Sequence, residues 1–502
     1  MIPCRRTSAL SRLIAGILVI GLVALPTTAT AMSRHLVMDR AEQWRVRTMV
    51  YSKTEWADEA GATVNSSSLG WRRDCSGFVS MAWNLARPGA TTRTLNYYAD
   101  SITKEALQPG DALVAYDQHT VLFGGWADPQ HVSYWAYEMS SSQSKAGDGT
   151  VMRITPYPYW GYAPNSTVYK PYRLKNITDS IDYAPYISAI EGSNRYHTAV
   201  KAAQTAFGTT GATTVVIASG TDWPDALGAS ALAGAVDGPV LLTSPITLPD
   251  TVKAEITALG AHDAIIVGGS SAVSTAVAQE LTDTKVSVSR ISGPDRYATA
   301  AAIASETVKR LKAAGGTYSG SMFVVTGTGF ADALAASSFA AAQTTPILLT
   351  DPDALSKETS TAIGAIGARN VTIVGGENAV STAVASALQA RLGTANVTRV
   401  YGSDRYHTVS ALLASRLAAS GLSYSGLAIV TGENFPDALS GGVMAARMGT
   451  FMVLTPSQHL QPSVAKMLMN HVTAVGVPHL LGGDSALSPI VRESVALALG
   501  GH

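Results

Sequence analysis

An α+β N-terminal domain followed by an α/β array of three repeated modules with parallel sheets, related by a pseudo-threefold, is the architecture this sequence predicts. Three observations carry it. Seven of the eight tryptophans (Trp44, Trp56, Trp71, Trp83, Trp126, Trp135 and Trp160) precede residue 180, and only Trp223 follows, where Ala, Gly, Val and Thr dominate. That shift separates two domains of different construction and puts the join between Lys175 and Pro185. Four sequence blocks then recur in the same order three times, which marks repeated units. Within them, short apolar runs without alternation, separated by helical patterns, indicate parallel strands buried by helices on both faces. The chain of 502 residues has room for several domains at ~100–200 residues each. Its 36 basic and 36 acidic residues cancel, and only 14% of residues are charged, which excludes a basic surface for nucleic acid or anionic lipid.

The elements follow in chain order. Arg5, Arg6 and Arg12 precede an apolar run from Leu13 to Leu25, and Ala29-Thr30-Ala31 offers a small-residue cleavage site, so residues 1–31 are expected to be a secretory signal peptide. The run is short for a bilayer span, and nothing later is long and apolar enough to be one, so the mature chain is expected to be secreted with no membrane span. Cys4 would leave with the leader. Cys75, in Arg73-Asp74-Cys75-Ser76-Gly77-Phe78-Val79, is then the remaining thiol, and in an exported chain it is either an inert packed group or a nucleophile. Phe78, Val79, Ala82, Trp83 and Ala86 recur at helical spacing, which places Cys75 at the N-terminus of a buried helix with Asp74 near the cap. There the helix dipole and free backbone N–H groups favour a thiolate and can hold an oxyanion.

After this helix come Pro109-Gly110-Asp111, a strand from Ala112 to Tyr116, another from His119 to Trp126, and a third from Val132 to Ser140. Strands joined by short turns make an antiparallel meander. A turn centred on Asp128-Pro129 pairs Gly125 with Val132 and His119 with Glu138, which sets a carboxylate beside His119 and makes it a candidate general base. His131, the rival orienter, falls in the turn. Tyr157, Tyr159, Trp160 and Tyr162 are candidates for lining a groove. The histidines lack the paired spacing of a zinc peptidase, so neither metal nor cofactor is expected.

The second part opens each unit with a strand and an arginine motif: Gly192-Ser-Asn-Arg195-Tyr196, Gly293-Pro-Asp-Arg296-Tyr297 and Gly402-Ser-Asp-Arg405-Tyr406. Asp225, Asp332 and Asp437 follow in blocks ending Asp-Ala-Leu, then Pro239, Pro346 and Phe451 open apolar runs, and then come Gly268-Gly269, Gly375-Gly376 and Gly482-Gly483. The arginines either pair with the aspartates at module interfaces or contact polymer phosphate. The glycine pairs, lying between strand and helix, either make a tight turn or cradle an anion. No phosphate-binding glycine fingerprint or P-loop lysine is present, which argues against a nucleotide. Three copies without a remainder predict a closed assembly rather than an open solenoid.

Two resemblances rest on these motifs. Asp74-Cys75-Ser76-Gly77-Phe78-Val79, Pro109-Gly110-Asp111 and the strand beginning at His119 resemble the NlpC-type papain-like cysteine peptidases of bacterial cell walls, over residues 38 to 172. This implies a papain-like fold for residues 32–178, with Cys75 as nucleophile, His119 as base and Glu138 in the third position, where histidine is commoner. Tyr51 aligns with a substrate-contacting tyrosine, and Asp74 and Ser76, flanking the nucleophile, complete the expected substrate-binding set. The repeats, 187–287, 288–396 and 397–502, resemble the type 2 cell wall binding repeat, which implies noncovalent attachment to an anionic wall polymer. The third departs from the pattern at Phe451-Met452. Together the resemblances imply a cysteine endopeptidase of peptidoglycan stem peptides, cutting the D-γ-glutamyl to diamino acid amide. The alternatives are a wall-anchored adhesin with an inactive peptidase domain, and an N-acetylmuramoyl-L-alanine amidase.

Overall fold

The computed structural model describes residues 32–45, 47, 49–141, 149–159, 168–180 and 183–499; the expected signal peptide, Trp160 and Tyr162 lie outside the described residues. In the N-terminal part, α1 (Arg34–Arg45) buries Leu36, Val37, Arg40, Ala41 and Trp44, a helical stripe laid against α2 (Cys75–Ala82). Trp44 meets Phe78 with ring centroids 6.2 Å apart. Every residue of α2 is buried. The helix is shorter than its apolar spacing predicts: it ends at Ala82, Asn84 takes a positive φ of 53°, and Ala86 is exposed. A left-handed residue cannot propagate a right-handed helix, so the periodic pattern outruns the element.

Six strands form the sheet beneath: β1 (Ala99–Ser101), β2 (Ala112–Ala115), β3 (His119–Trp126), β4 (Ser133–Ser140), β5 (Gly149–Pro156) and β6 (Tyr169–Leu174), in the order β1-β6-β2-β3-β4-β5. All neighbouring pairs are antiparallel, and β2 to β5 run as a meander. The β3–β4 register differs from the one expected. Leu122 opposes Tyr137 and Phe123 opposes Ala136, two residues along from the predicted pairing, and beyond an irregularity Trp126 opposes Tyr134. Asp128 causes the slip by accepting from the backbone N–H groups of Gln130, Val132 and Ser133, which closes a wider loop than a tight turn at Asp128-Pro129. Because side chains alternate with a period of two, a slip of two leaves every residue on its face, and His119 and Glu138 become diagonal neighbours instead of direct partners.

Three α/β modules follow, each with a four-stranded parallel sheet. The strand opening each repeat pairs into the sheet of the preceding one: Ser287–Ile291 joins the first sheet and Val397–Val400 the second. Ser188–Ile190, from the start of the first repeat, completes the third sheet beside His479–Leu481, so the array closes on itself. Helices Ala229–Ala235, Ala331–Ala342 and Pro436–Arg447 pack against one another at the centre, in one apolar core common to the three modules. Phe451 accounts for the departure in the third repeat. There the strand begins at Thr450, whereas proline precedes the equivalent strands, and the Phe451 ring packs edge-on against Tyr424 at 5.2 Å.

The N-terminal part rests on the third module. The Ser33 hydroxyl donates to the buried Glu493 carboxylate, and Leu497 packs against the N-terminal core. A cavity of about 410 Å³ lies between them, lined by Asp39, Arg40 and Glu59 from one side and Lys466, Met469 and Leu497 from the other. No helix among the described residues is long and apolar enough to cross a membrane.

Candidate functional site

Asp74 starts α2 from an extended conformation, its Oδ1 accepting from Gly77 N–H at 2.6 Å while its backbone carbonyl accepts from Phe78 N–H. Arg72 Nε donates to the other carboxylate oxygen at 2.9 Å, and the Ser76 hydroxyl donates to Oδ1 at 3.0 Å. The side chains of Asp74 and Ser76, expected to touch substrate, are hydrogen-bonded to each other and to the start of the helix. Gly77 is required there, because a Cβ would stand 2.1 Å from the Arg72 carbonyl oxygen. Cys75, a free cysteine only 6% exposed, is thereby fixed at the first turn, facing the sheet.

His119 opens β3 next to the Cys75 side chain, whose influence reaches the imidazole. Its Nε2 also contacts Glu138 Oε2 at 2.7 Å. Burial is the largest influence on the imidazole and works against its charge, but the hydrogen bonds and charges of Cys75 and Glu138 outweigh it and lift the pKa to about 10. Glu138, on β4, is fully buried. Burial pulls its pKa upward, yet bonds from His119 and Tyr159 and the charge of Arg153 hold it below the ordinary glutamate range. Tyr51 is half-buried beside the pair; burial first, then the nearby charges of Cys75 and Asp74, push its phenol up to about 12. Tyr159 stands over His119 with ring centroids 5.3 Å apart. Tyr157 packs away from this group, in an aromatic cluster with Trp126 and Tyr134. His131 stacks on Trp126 at 4.5 Å.

Arg153 was not singled out from sequence. It lies on β5 opposite Ala136, and its guanidinium reaches Glu138 Oε1 from Nε at 2.9 Å and from Nη2 at 2.6 Å. No motif marks it; only the pairing of a third strand reveals which face it shares.

In the array, Asn194, Asp295 and Asp404 cap the helices beginning at Arg195, Arg296 and Arg405, which explains the residue preceding each arginine. Each arginine donates from Nη1 to a carbonyl at the end of its own module's strand: Arg195 to Gly220 at 2.7 Å, Arg296 to Gly327 at 2.6 Å and Arg405 to Gly432. The aspartates face the arginine of a neighbouring module. Burial raises the pKa of Asp225, of Asp332 to about 6 and of Asp437 to about 6, while Arg296, Arg405 and Arg195 respectively oppose the rise. Each unit's aspartate therefore answers another unit's arginine around the ring. The first glycine of each pair has positive φ, 108° at Gly268, 119° at Gly375 and 106° at Gly482, and an added Cβ would meet its own module's aspartate carboxylate within 3.0 Å. In the first module the turn also brings the Gly269 N–H to the Asp225 carboxylate, which tempers the rise in its pKa.

These three modules define a wall-attachment array, and the chain belongs to the family of cell wall binding domain 2, which matches residues 189–278, 290–385 and 399–492. The array is therefore of the kind that binds wall polymer and associates a protein with the cell wall. Among known proteins, the chain is 31% identical over 316 residues to N-acetylmuramoyl-L-alanine amidase LytC of Bacillus subtilis, covering 62% of this chain and 60% of that protein. It is 30% identical over 305 residues to the amidase enhancer of the same organism, covering 61% of this chain and 39% of that one. The chain thus spans less than two thirds of either relative. Among solved structures, Cwp8 from Clostridium difficile superposes with a TM-score of 0.54 at 26% identity, covering 63% of this chain and 52% of that one. Cwp6 from the same organism gives a TM-score of 0.54 at 20% identity over 78% of this chain and 63% of that one, a likeness of fold alone. One expectation is corrected here. The expectation of a cysteine peptidase, an endopeptidase of the stem peptide, is overturned by this similarity, because the enzyme concerned is named an amidase.

Proposed function

We propose that the chain is a wall-associated hydrolase that cleaves the amide between N-acetylmuramic acid and the L-alanine of the stem peptide, with Cys75 as nucleophile. One observation carries the chemistry: the His119 imidazole, hydrogen-bonded to Glu138, lies beside the Cys75 thiol at the start of α2. The choice of bond is supported by the similarity to a named amidase. The fold reading that accompanies it is papain-like, with a thiol at the start of a buried helix packed on an antiparallel sheet that carries the histidine. On this reading residues 32–178 are the catalytic domain, released from a secretory leader, and the three repeats hold it on an anionic wall polymer.

His119 takes the thiol proton, and the Cys75 Sγ attacks the carbonyl carbon of the muramoyl lactyl group. Backbone N–H groups at the start of α2 hold the oxyanion. As the C–N bond breaks, the imidazolium gives its proton to the departing alanine nitrogen. Water, deprotonated by His119, then hydrolyses the muramoyl thioester and restores the thiol. Glu138 orients the imidazole and stabilises its charged form. Attachment raises the local concentration of stem-bearing glycan, so the site itself needs only modest affinity.

Digestion of purified sacculi by the full chain is the test. Free N-terminal L-alanine should appear, and Cys75→Ala should abolish it while the protein still sediments with the walls. New amino groups further along the stem, or equal release by Cys75→Ala, would overturn the reading.

A further inference from the structure

Glu138 receives far more than a histidine partner needs. It is fully buried, in the second strand from the sheet edge, and four contacts converge on it. Oε2 takes His119 Nε2 at 2.7 Å and the Tyr159 hydroxyl at 2.6 Å, while Oε1 takes Arg153 Nε at 2.9 Å and Nη2 at 2.6 Å. Arg153 Nη2 also donates to the Tyr159 hydroxyl at 2.7 Å, so arginine, tyrosine and carboxylate close a ring. The guanidinium carbon lies 5.4 Å from the centre of the Tyr159 ring, and Tyr169 packs on that ring at 4.9 Å.

The chemistry of a buried carboxylate explains what this ring is for. An ionised group out of water is tolerated only when paired and hydrogen-bonded. If His119 were the only cation beside Glu138, the pair would be stable while the imidazole is charged. It would be left with an uncompensated anion once the imidazole gave up its proton. The imidazolium would then hold its proton too tightly to deliver it. A guanidinium that never deprotonates lessens this difficulty by balancing the carboxylate in both states of the histidine.

We propose that Arg153, braced by Tyr159, is a positioning residue for the Cys75–His119 pair: it keeps Glu138 anionic and correctly turned when His119 is neutral, so that the imidazole can cycle its proton. The inference rests on the reading of Cys75 and His119 as the reacting pair, but not on which bond is cut. The titratable and charged groups involved are few. Glu138 is faced by His119 from β3, Arg153 from β5 and Tyr159, with Tyr134 on its own strand. His119 is faced by Cys75 from α2, Glu138 and Tyr159, with Tyr51 and Asp74 beyond the thiol.

The experiment is an NMR titration of the full chain labelled at the histidine imidazole nitrogens, with the His119 signal assigned from its absence in His119→Gln. Arg153→Met should raise the His119 midpoint by about one pH unit, the shift expected for removing a charge several ångströms away. Arg153→Lys, which restores a cation, should return most of that shift. Tyr159→Phe, which leaves the guanidinium in place, should move the midpoint less than Arg153→Met does. Should Arg153→Met fail to fold, the lysine and phenylalanine variants carry the comparison. An unmoved midpoint in a folded Arg153→Met protein, or in its absence equal large shifts in Arg153→Lys and Tyr159→Phe, would reduce Arg153 to a packing role. The titration reads the imidazole directly, so failure to release alanine from sacculi would leave this result standing and would count against the assigned bond alone.

Discussion

Charge at His119 links the candidate site to stability. Burial alone would make the imidazole a poorer base, but Cys75 and Glu138 outweigh it and carry the value from 6.5 to about 10. A folded-state value above the unfolded one contributes stability that is fully present below about pH 6.5 and is lost as the pH rises through about 10. Urea midpoints of the wild type should therefore fall between pH 7 and pH 10 more steeply than those of His119→Gln, and parallel curves would show that the imidazole is not held charged. The residues behind this were unevenly legible. Cys75 and His119 stand in local motifs, and Glu138 followed from counting across one hairpin. Arg153 lies a strand further on, where position depends on a second register and on a loop whose length gives no geometry. Asp74 and Ser76 illustrate the converse: a motif reports that residues sit together without saying whether they face a ligand or each other.

The helix that presents the thiol depends on its cap more than on propensity. α2 contains Gly77, Val79 and two serines in eight residues, a weak helix former on its own. Asp74 supplies what the sequence of the helix lacks, accepting from Gly77 N–H and neutralising Arg72. Asp74→Ala should cost about 1–2 kcal/mol, since it removes the cap and strands the guanidinium. Asp74→Asn should recover part of this, because an amide oxygen caps as well but leaves the largely buried Arg72 guanidinium without its anion. Tryptophan fluorescence isolates the transition, because all but one of the tryptophans lie before residue 180. Equal loss in both variants would mean that the charge of Asp74, not its cap, matters. At this scale the meander was readable and its register was not, because Asp128 binds three backbone N–H groups that no hydropathy pattern reveals.

Closure of the array is a property of the whole chain, and it makes a prediction that no single repeat would make. A strand that opens the first repeat sits at the edge of the third sheet, with Ser188 N–H donating to the Pro478 carbonyl at 2.9 Å and Ile190 accepting from Gly482 N–H at 3.0 Å. Repetition of the arginine, aspartate and glycine blocks was enough to expect three closed modules. The sharing of strands was hidden, because a strand has the same sequence whether it pairs forward or back. Ser188→Pro separates the two arrangements. Proline removes the ladder donor and leaves the Pro478 carbonyl unpaired, at a cost of about 1–3 kcal/mol. If the ring closes through this strand, hydrogen exchange measured by mass spectrometry should accelerate at residues 479–482, nearly three hundred positions away, and spare Thr214–Ser219 in the first sheet. Faster exchange confined to Thr214–Ser219 would place the strand in its own repeat and open the ring. Because Glu493 and Leu497 of the third module carry the N-terminal part, loosening that module should also weaken the seat of the domain that holds Cys75.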